Sequence, residues 1–333
     1  MSASLHCSDM SERRLHVVTY HYVRDVAGTR HAGIKALATS DFFTQLNELS
    51  DAFEMATAES SLAFLAGKYR PSRDLCLLTF DDGLREHLTH VTPALADRGI
   101  QAIFFVITSC LEERSVAPVH MNHFLTAELG FEPYRRLFLE MLQRTAPDAL
   151  QSVQVDASLA QWTYPWDDRA AACFKYLFNF ALHPSVRDSV VAGLFERYIG
   201  GERQFAQELY VSWSGAREMQ SGGMVIGGHT HRHRPLATLT DSELAGDLTT
   251  SRDLLDRRLM PQPLWPFSYP YGKRASYTQG AVDQLRALGF DCCFSTEEGC
   301  NEPGVDLFGL RRVDTRKAPA FRNARPAGVG HAN

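Results

Sequence analysis

Three short stretches of this 333-residue chain gather residue types that can do chemistry. The first is Leu75-Cys76-Leu77-Leu78-Thr79-Phe80-Asp81-Asp82-Gly83. Its apolar run, bounded by Pro71 and Gly83, reads as a buried strand that ends in two adjacent carboxylates. Such neighbours repel each other unless a cation or a shared proton separates their roles. Taken alone, the pattern also fits a glycine-closed turn. The second stretch is Gly228-His229-Thr230-His231-Arg232-His233-Arg234-Pro235. On a helical turn, a spacing of four puts His229 and His233 on one face, as in other two-histidine metal motifs. Neutral imidazole suits zinc, and a carboxylate would complete a three-ligand catalytic site with an open position. His231, two residues from each, is expected to point elsewhere. A basic, solvated loop is the alternative for this segment by itself. The third stretch, Phe267-Ser268-Tyr269-Pro270-Tyr271-Gly272, is a strand running into a turn.

The elements that must position these residues alternate. Leu15 to Val23 is β-branched and aromatic and predicts a first strand, with His21 near its end. Asp41 to Phe53 has helical spacing, with Ser40 or Asp41 as its cap. Ile100 to Ile107 predicts a strand parallel to the Leu75 strand, joined to it through a helix that stops at Gly99. From about His120 to Met219 the pattern is helical, with apolar groups such as Phe138, Leu139 and Leu142, then Phe174, Leu177 and Phe178. This reads as an insertion, either structural or a wall of the substrate site. Strands over 224–226, 264–269 and 291–295, helices over 241–259 and 279–288, and a last strand over 307–313 resume the alternation. Repeated βα units with parallel connections predict a barrel-like or open α/β sheet.

Composition excludes several classes. A net charge of -5 disfavours nucleic acid as a partner. No apolar run approaches the roughly 20 residues of a membrane span. Met1 to Arg14 is polar and lacks the apolar core of a signal peptide. Seven scattered cysteines with no Cys-x-x-Cys pair predict neither a thiolate zinc site nor a disulfide framework, which fits a reducing cytoplasm.

The three stretches each follow a predicted strand and come in one order. Thr79-Phe80-Asp81-Asp82-Gly83, then His229-Thr230-His231-Arg232-His233, then Ser268-Tyr269-Pro270-Tyr271-Gly272 resemble the polysaccharide deacetylases, the NodB-homology family of carbohydrate esterases. The family pattern is Thr-Phe-Asp-Asp-Gly, His-Ser/Thr-x-x-His, and a segment ending in Pro-Tyr-Gly. The resemblance covers roughly Leu15 to Asp314. It implies an α/β fold, a distorted seven-stranded (β/α) barrel over 15–316. The helical insertion would span 115–221, with flexible termini at 1–14 and 317–333. It maps Asp82, His229 and His233 onto a metal triad, usually zinc, with another divalent metal as the variant. Asp81 maps onto the general base, and the backbone N–H of Tyr271 onto the oxyanion donor. Pro270 and Tyr271 would line the sugar groove. An amide is a poor electrophile and water a poor nucleophile at neutral pH. Zinc remedies both, by lowering the water pKa from ~15.7 towards about 7 and by polarising the carbonyl.

The chain departs from the family in two places. Ser268 stands where many members carry an Arg that orients the base, and the late Leu-x-His that supplies the general acid reads Leu310-Arg311-Arg312-Val313-Asp314. Losing an acid costs on the order of 10²- to 10⁴-fold. His21 and His123 are the candidate replacements at the substrate site, and Arg312 and Asp314 are candidates to support Asp81. The resulting expectation is a cytoplasmic, zinc-dependent hydrolase. It would remove an N-acyl group, acetyl by preference, from a sugar or sugar precursor of a surface polysaccharide. The alternatives are a catalytically weak, metal-bearing carbohydrate-binding protein and a deacylase of a different amide or O-acyl ester. Oligomeric state leaves no mark in the sequence.

Overall fold

The computed structural model describes residues 13–315. Residues 1–12 and 317–333 of the expected flexible termini lie outside the described residues. Arg14 is held, its N–H donating to Asp74 Oδ1 at 3.2 Å. Eight strands form one sheet: β1 Leu15–Tyr20, β2 Glu54–Met55, β3 Leu75–Phe80, β4 Ala102–Val106, β5 Val225–Gly228, β6 Pro266–Ser268, β7 Cys292–Phe294 and β8 Val313–Asp314. Seven run in the order β7-β6-β5-β4-β3-β1-β8, and the two-residue β2 pairs with β3 off that path. Every pairing is parallel. Leu310 also bridges Phe294 in parallel. The segment from Leu310 to Asp314 therefore reaches β7 at one end and β1 at the other, and curls the sheet into a (β/α) barrel.

The period of two sorts the strand residues onto two faces. Leu15, Val17, Leu75, Leu77, Ile103, Phe105 and Val225 share one apolar cluster with Phe64 and Leu65 of the Ala58–Leu65 helix. Val18, Tyr20, Leu78, Phe80, Phe104 and Val106 belong to the larger cluster against the other helices. There Phe42, from the Thr39–Ala52 helix, meets the Tyr20 ring edge-on at 5.5 Å. Among the described residues between β4 and β5 there is no strand, and Phe138, Phe174, Phe178 and Leu194 of this helical stretch join the same larger cluster. Burial of these side chains, each worth about 1.5–3 kcal/mol, packs the helical stretch on the barrel.

Local differences from the sequence reading have local causes. Several strands, such as Leu15–Tyr20, Pro266–Ser268 and Cys292–Phe294, are shorter than the runs that predict them, whereas Leu75–Phe80 fills its run. The helix expected over 41–53 begins at Thr39, and Ala38 stands at its cap without a side-chain bond. Asp25 Oδ1 accepts from Thr39 N–H at 3.0 Å instead, so Ser40 and Asp41 lie inside the helix. The strand expected over 307–313 is reduced to Val313–Asp314, because Leu307–Gly309 forms a 3-10 turn capped by Asp306.

Candidate active site

Each predicted stretch lies at the C-terminal edge of its parallel strand, where loops are free to converge. Asp81 and Asp82 follow β3, His229 to His233 follow β5, Tyr269 to Gly272 follow β6, and His21 follows β1. Asp82, His229 and His233 come together, all buried, with one potential ligand atom from each lying within 4.8 Å of the others. Asp82 Oδ1 is 3.5 Å from Nε2 of both histidines, and the two Nε2 atoms are 3.1 Å apart. His229 Nδ1 lies 2.7 Å from the Ser268 carbonyl, to which it donates, so the neutral ring presents its Nε2 lone pair to the cluster. Asp82 Oδ1 is buried with no hydrogen-bond partner. A buried carboxylate oxygen facing two imidazole nitrogens calls for a shared cation. Two nitrogens and one oxygen form a donor set that suits zinc.

The two histidines do not share a helix face, contrary to the helical-turn reading. Residues 229–233 form a loop, with Thr230 at φ 66° and His233 at φ 52°. Thr230 Oγ1 accepts from His233 N–H at 2.8 Å and fixes the turn. His231 points away, as its position implied, with Nδ1 3.0 Å from Thr108 Oγ1 and Nε2 3.0 Å from Glu113. Asp82 at φ 79° and Tyr271 at φ 62° are also left-handed. Four of the five non-glycine residues with this backbone among those described therefore sit in one site, a concentration typical of functional centres.

Asp81 continues the face of Leu75, Leu77 and Thr79, and the left-handed backbone of Asp82 turns its own side chain elsewhere. Arg312 grips Asp81 with two bonds of 2.8 Å, Nη1 to Oδ1 and Nη2 to Oδ2. Its other donors reach Ser268 Oγ at 3.0 Å and the Ser295 carbonyl at 2.8 Å. The guanidinium lacking at position 268 thus arrives from the segment that closes the barrel, and the small Ser268 leaves room for it. Burial by itself would raise the Asp81 pKa. Arg312 outweighs it, with His229 and His21 adding to the effect, and brings the value down to about 2. Asp314 lies in β8, in register with Thr19.

His21 is half exposed, and its Nε2 is 3.9 Å from Asp81 Oδ2. His87 Nε2 lies 2.9 Å from the His21 carbonyl and donates to it, which fixes the backbone at that point. His123 is set back, its Nδ1 3.4 Å from the Tyr22 hydroxyl. Burial pushes its pKa down to about 3. Pro270 is buried beneath the turn. Tyr271 places its ring 5.2 Å from that of His233 and donates its hydroxyl to Asn179 Oδ1 at 2.9 Å. Gly272, at φ 64°, is required here, since a Cβ would lie 2.6 Å from the Thr296 backbone nitrogen.

His120 is the participant that the sequence reading passed over. It is fully buried on the Pro118–Leu129 helix, and its Nε2 lies 3.0 Å from Asp82 Oδ2. Its place in Val119-His120-Met121-Asn122-His123-Phe124, at the entry to the helical stretch, was the available signal.

Similarity to known proteins agrees with this geometry. No curated protein matches the chain. Among solved structures, it resembles the Streptococcus pyogenes deacetylase PplD at 15% identity and TM-score 0.57, over 91% of this chain and 93% of that one. It resembles IcaB from Ammonifex degensii at 20% identity and TM-score 0.55, over 92% and 94%. The BpsB deacetylase domain from Bordetella bronchiseptica aligns at 18% identity and TM-score 0.51, over 90% and 95%. At such identities these likenesses speak for the fold. The family description of polysaccharide deacetylase matches residues 68–154 and 190–293, most of the chain, and breaks only inside the helical stretch. With the motif residues gathered at one barrel edge and more than half of the sequence matched, the chain belongs to the polysaccharide deacetylase family.

Proposed function

We propose that the chain is a zinc-dependent deacetylase that removes N-acetyl groups from a sugar, or from a sugar precursor of a surface polysaccharide. The observation that carries this reading is the buried Asp82–His229–His233 cluster beside an Arg312-bound Asp81. Asp82, His229 and His233 would hold the metal, which supplies Lewis acidity to a water and to the amide carbonyl. Asp81 stays ionised throughout the working pH range and accepts the proton of the attacking water. The leaving amine is the stronger base, so the proton then passes on to nitrogen. His21 stands on that route, at the open mouth and beside Asp81, whereas His123 is held neutral and set back. The Tyr271 N–H, in its left-handed turn, would donate to the developing oxyanion. Metals other than zinc with a preference for nitrogen and oxygen ligands would serve the same donors.

A cytoplasmic place of action belongs to this reading. Six cysteines among the described residues are free thiols, and no described helix is long and apolar enough to cross a membrane. The alternative of a weakly catalytic sugar binder rested on a missing guanidinium and a missing acid. Arg312 at Asp81 removes the first ground. The test is acetate release from a panel of N-acetylated mono- and oligosaccharides, in zinc and after chelation, with Asp81→Asn as control. Release that needs the metal and Asp81 supports the reading. Sugar binding without release would favour the binder, and release only from O-acetyl esters would move the substrate class.

A further inference from the structure

The helical stretch between β4 and β5 grips the Asp82 segment from both of its ends. At its start, His120 Nε2 lies 3.0 Å from Asp82 Oδ2. Towards its close, just before the last helix of the stretch, Trp213–Ser221, Tyr210 bridges Leu84, and Val211 N–H donates to the Gly83 carbonyl at 2.9 Å. The two ends also meet each other. The Tyr210 hydroxyl is 2.5 Å from His120 Nδ1 and accepts from Ala117 N–H at 3.0 Å.

Proton accounting fixes the roles. With Ala117 N–H donating to its oxygen, Tyr210 turns its one O–H towards His120 Nδ1. His120 then donates from Nε2 to Asp82 Oδ2, which as a carboxylate only accepts. The Cys110 thiol, a much weaker hydrogen-bonding group than an imidazole nitrogen, also lies beside the Tyr210 hydroxyl. Asp82 is thereby divided. Oδ2 is engaged outward, and Oδ1, without a hydrogen-bond partner, is left for the cluster with His229 and His233. His120 is 0% exposed, so it does not reach a substrate and acts through Asp82.

We infer that His120, locked in one tautomer by Tyr210, is a positioning residue that holds Asp82 monodentate towards the metal, so that both ends of the helical insertion are part of the metal site. This rests on the metal reading of the cluster and is independent of which acyl compound is the substrate.

The experiment measures the zinc dissociation constant of the full chain by competition with a chromogenic chelator, alongside the melting temperature of the metal-free protein. His120→Phe keeps the shape and removes the donor. It should weaken zinc binding by about 10- to 100-fold. His120→Gln can still offer an N–H to Oδ2 and should recover most of that loss, which a purely structural role would not produce. Tyr210→Phe frees the tautomer and should weaken zinc by about ten-fold, the lower end of the same range. Unaltered affinity in His120→Phe, or in Tyr210→Phe where His120→Phe does not fold, overturns the proposal. No zinc binding by the unaltered chain overturns it together with the metal reading. Tight zinc binding with the expected ranking but no acetate release leaves it standing and overturns only the activity.

Discussion

Replacing Arg312 by Leu should be among the most damaging single changes available outside the proposed metal ligands. The side chain is 1% exposed and gives Asp81 two bonds of 2.8 Å. Holding Asp81 at about 2 instead of 3.8 corresponds to about 2 kcal/mol of stability at neutral pH. The sign follows from the depressed value. The contribution is complete above the ordinary carboxylate pKa and is lost as pH falls from about 4 towards 2. Removing Arg312 does more than cancel it, because a 2%-exposed carboxylate is left without its cation. Breaking a buried pair in this way costs about 3–5 kcal/mol. Urea unfolding at pH 7 should therefore show a loss between these figures. The double variant Arg312→Leu, Asp81→Asn should lose much less than the two single losses added together, since no buried charge is stranded. Without Arg312, burial dominates and the carboxyl titrates above its ordinary value, so the acidic limb of kcat/KM moves to higher pH. A single-variant loss under about 1 kcal/mol, against the range expected for a buried pair, would show that Arg312 does not sustain Asp81. Strict additivity in the double variant would show the same.

Asp82→Asn should weaken zinc binding, with activity partly recovered at high zinc. Asp81→Asn should keep zinc and fold but lose turnover by about 10²- to 10⁴-fold; the reverse pattern in equilibrium dialysis would invert the two roles. His21→Gln should lower kcat/KM by a similar general-acid factor while His123→Gln lowers it less, and equal effects in side-by-side kinetics would remove the distinction drawn between them. Trp162 and Trp166 are 65% and 71% exposed and flank Tyr164, whose hydroxyl accepts from the Asn179 side chain that holds Tyr271. If the two rings form a stacking platform for distal sugars, replacing both by Ala should raise KM for a long oligosaccharide and leave that for N-acetylglucosamine unchanged; parallel changes in the two would remove that platform.

The strands and the residues at their ends were legible because parallel strands buried on both faces are written as unbroken apolar runs. The chemistry of such folds collects where those runs stop. Other features were not legible, for identifiable reasons. A spacing of four is shared by helical turns and tight loops, so the backbone of His229 to His233 was open until Thr230 and His233 showed their left-handed conformations. His120 and His123 stand three apart on one helix, and both face roughly the same way. Only the seating of that helix on the barrel decides which ring meets Asp82. Arg312 was named as a neighbour for Asp81, but its bidentate grip depends on the segment from Leu310 to Asp314 bridging β7 and β1, a closure between chain positions far apart. The two-residue β2 lies below any periodic signal.

The left-handed backbones at Asp82, Thr230, His233 and Tyr271 have a bearing on how this protein can be changed. Each such residue costs on the order of 1–3 kcal/mol relative to an unstrained one, and glycine would relieve most of it. A laboratory selection for heat resistance alone would therefore be drawn to glycine at these four positions, and would gain stability by deleting two of the proposed metal donors, the hydroxyl that fixes their loop and the ring beside them. Where metal retention is selected together with heat resistance, Thr230→Gly should be the first such substitution to emerge, because it discards none of the three residues of the cluster. Thermal robustness and metal capture thus select in opposite directions at the same codons, and stabilised variants worth keeping will have to be sought elsewhere in the chain.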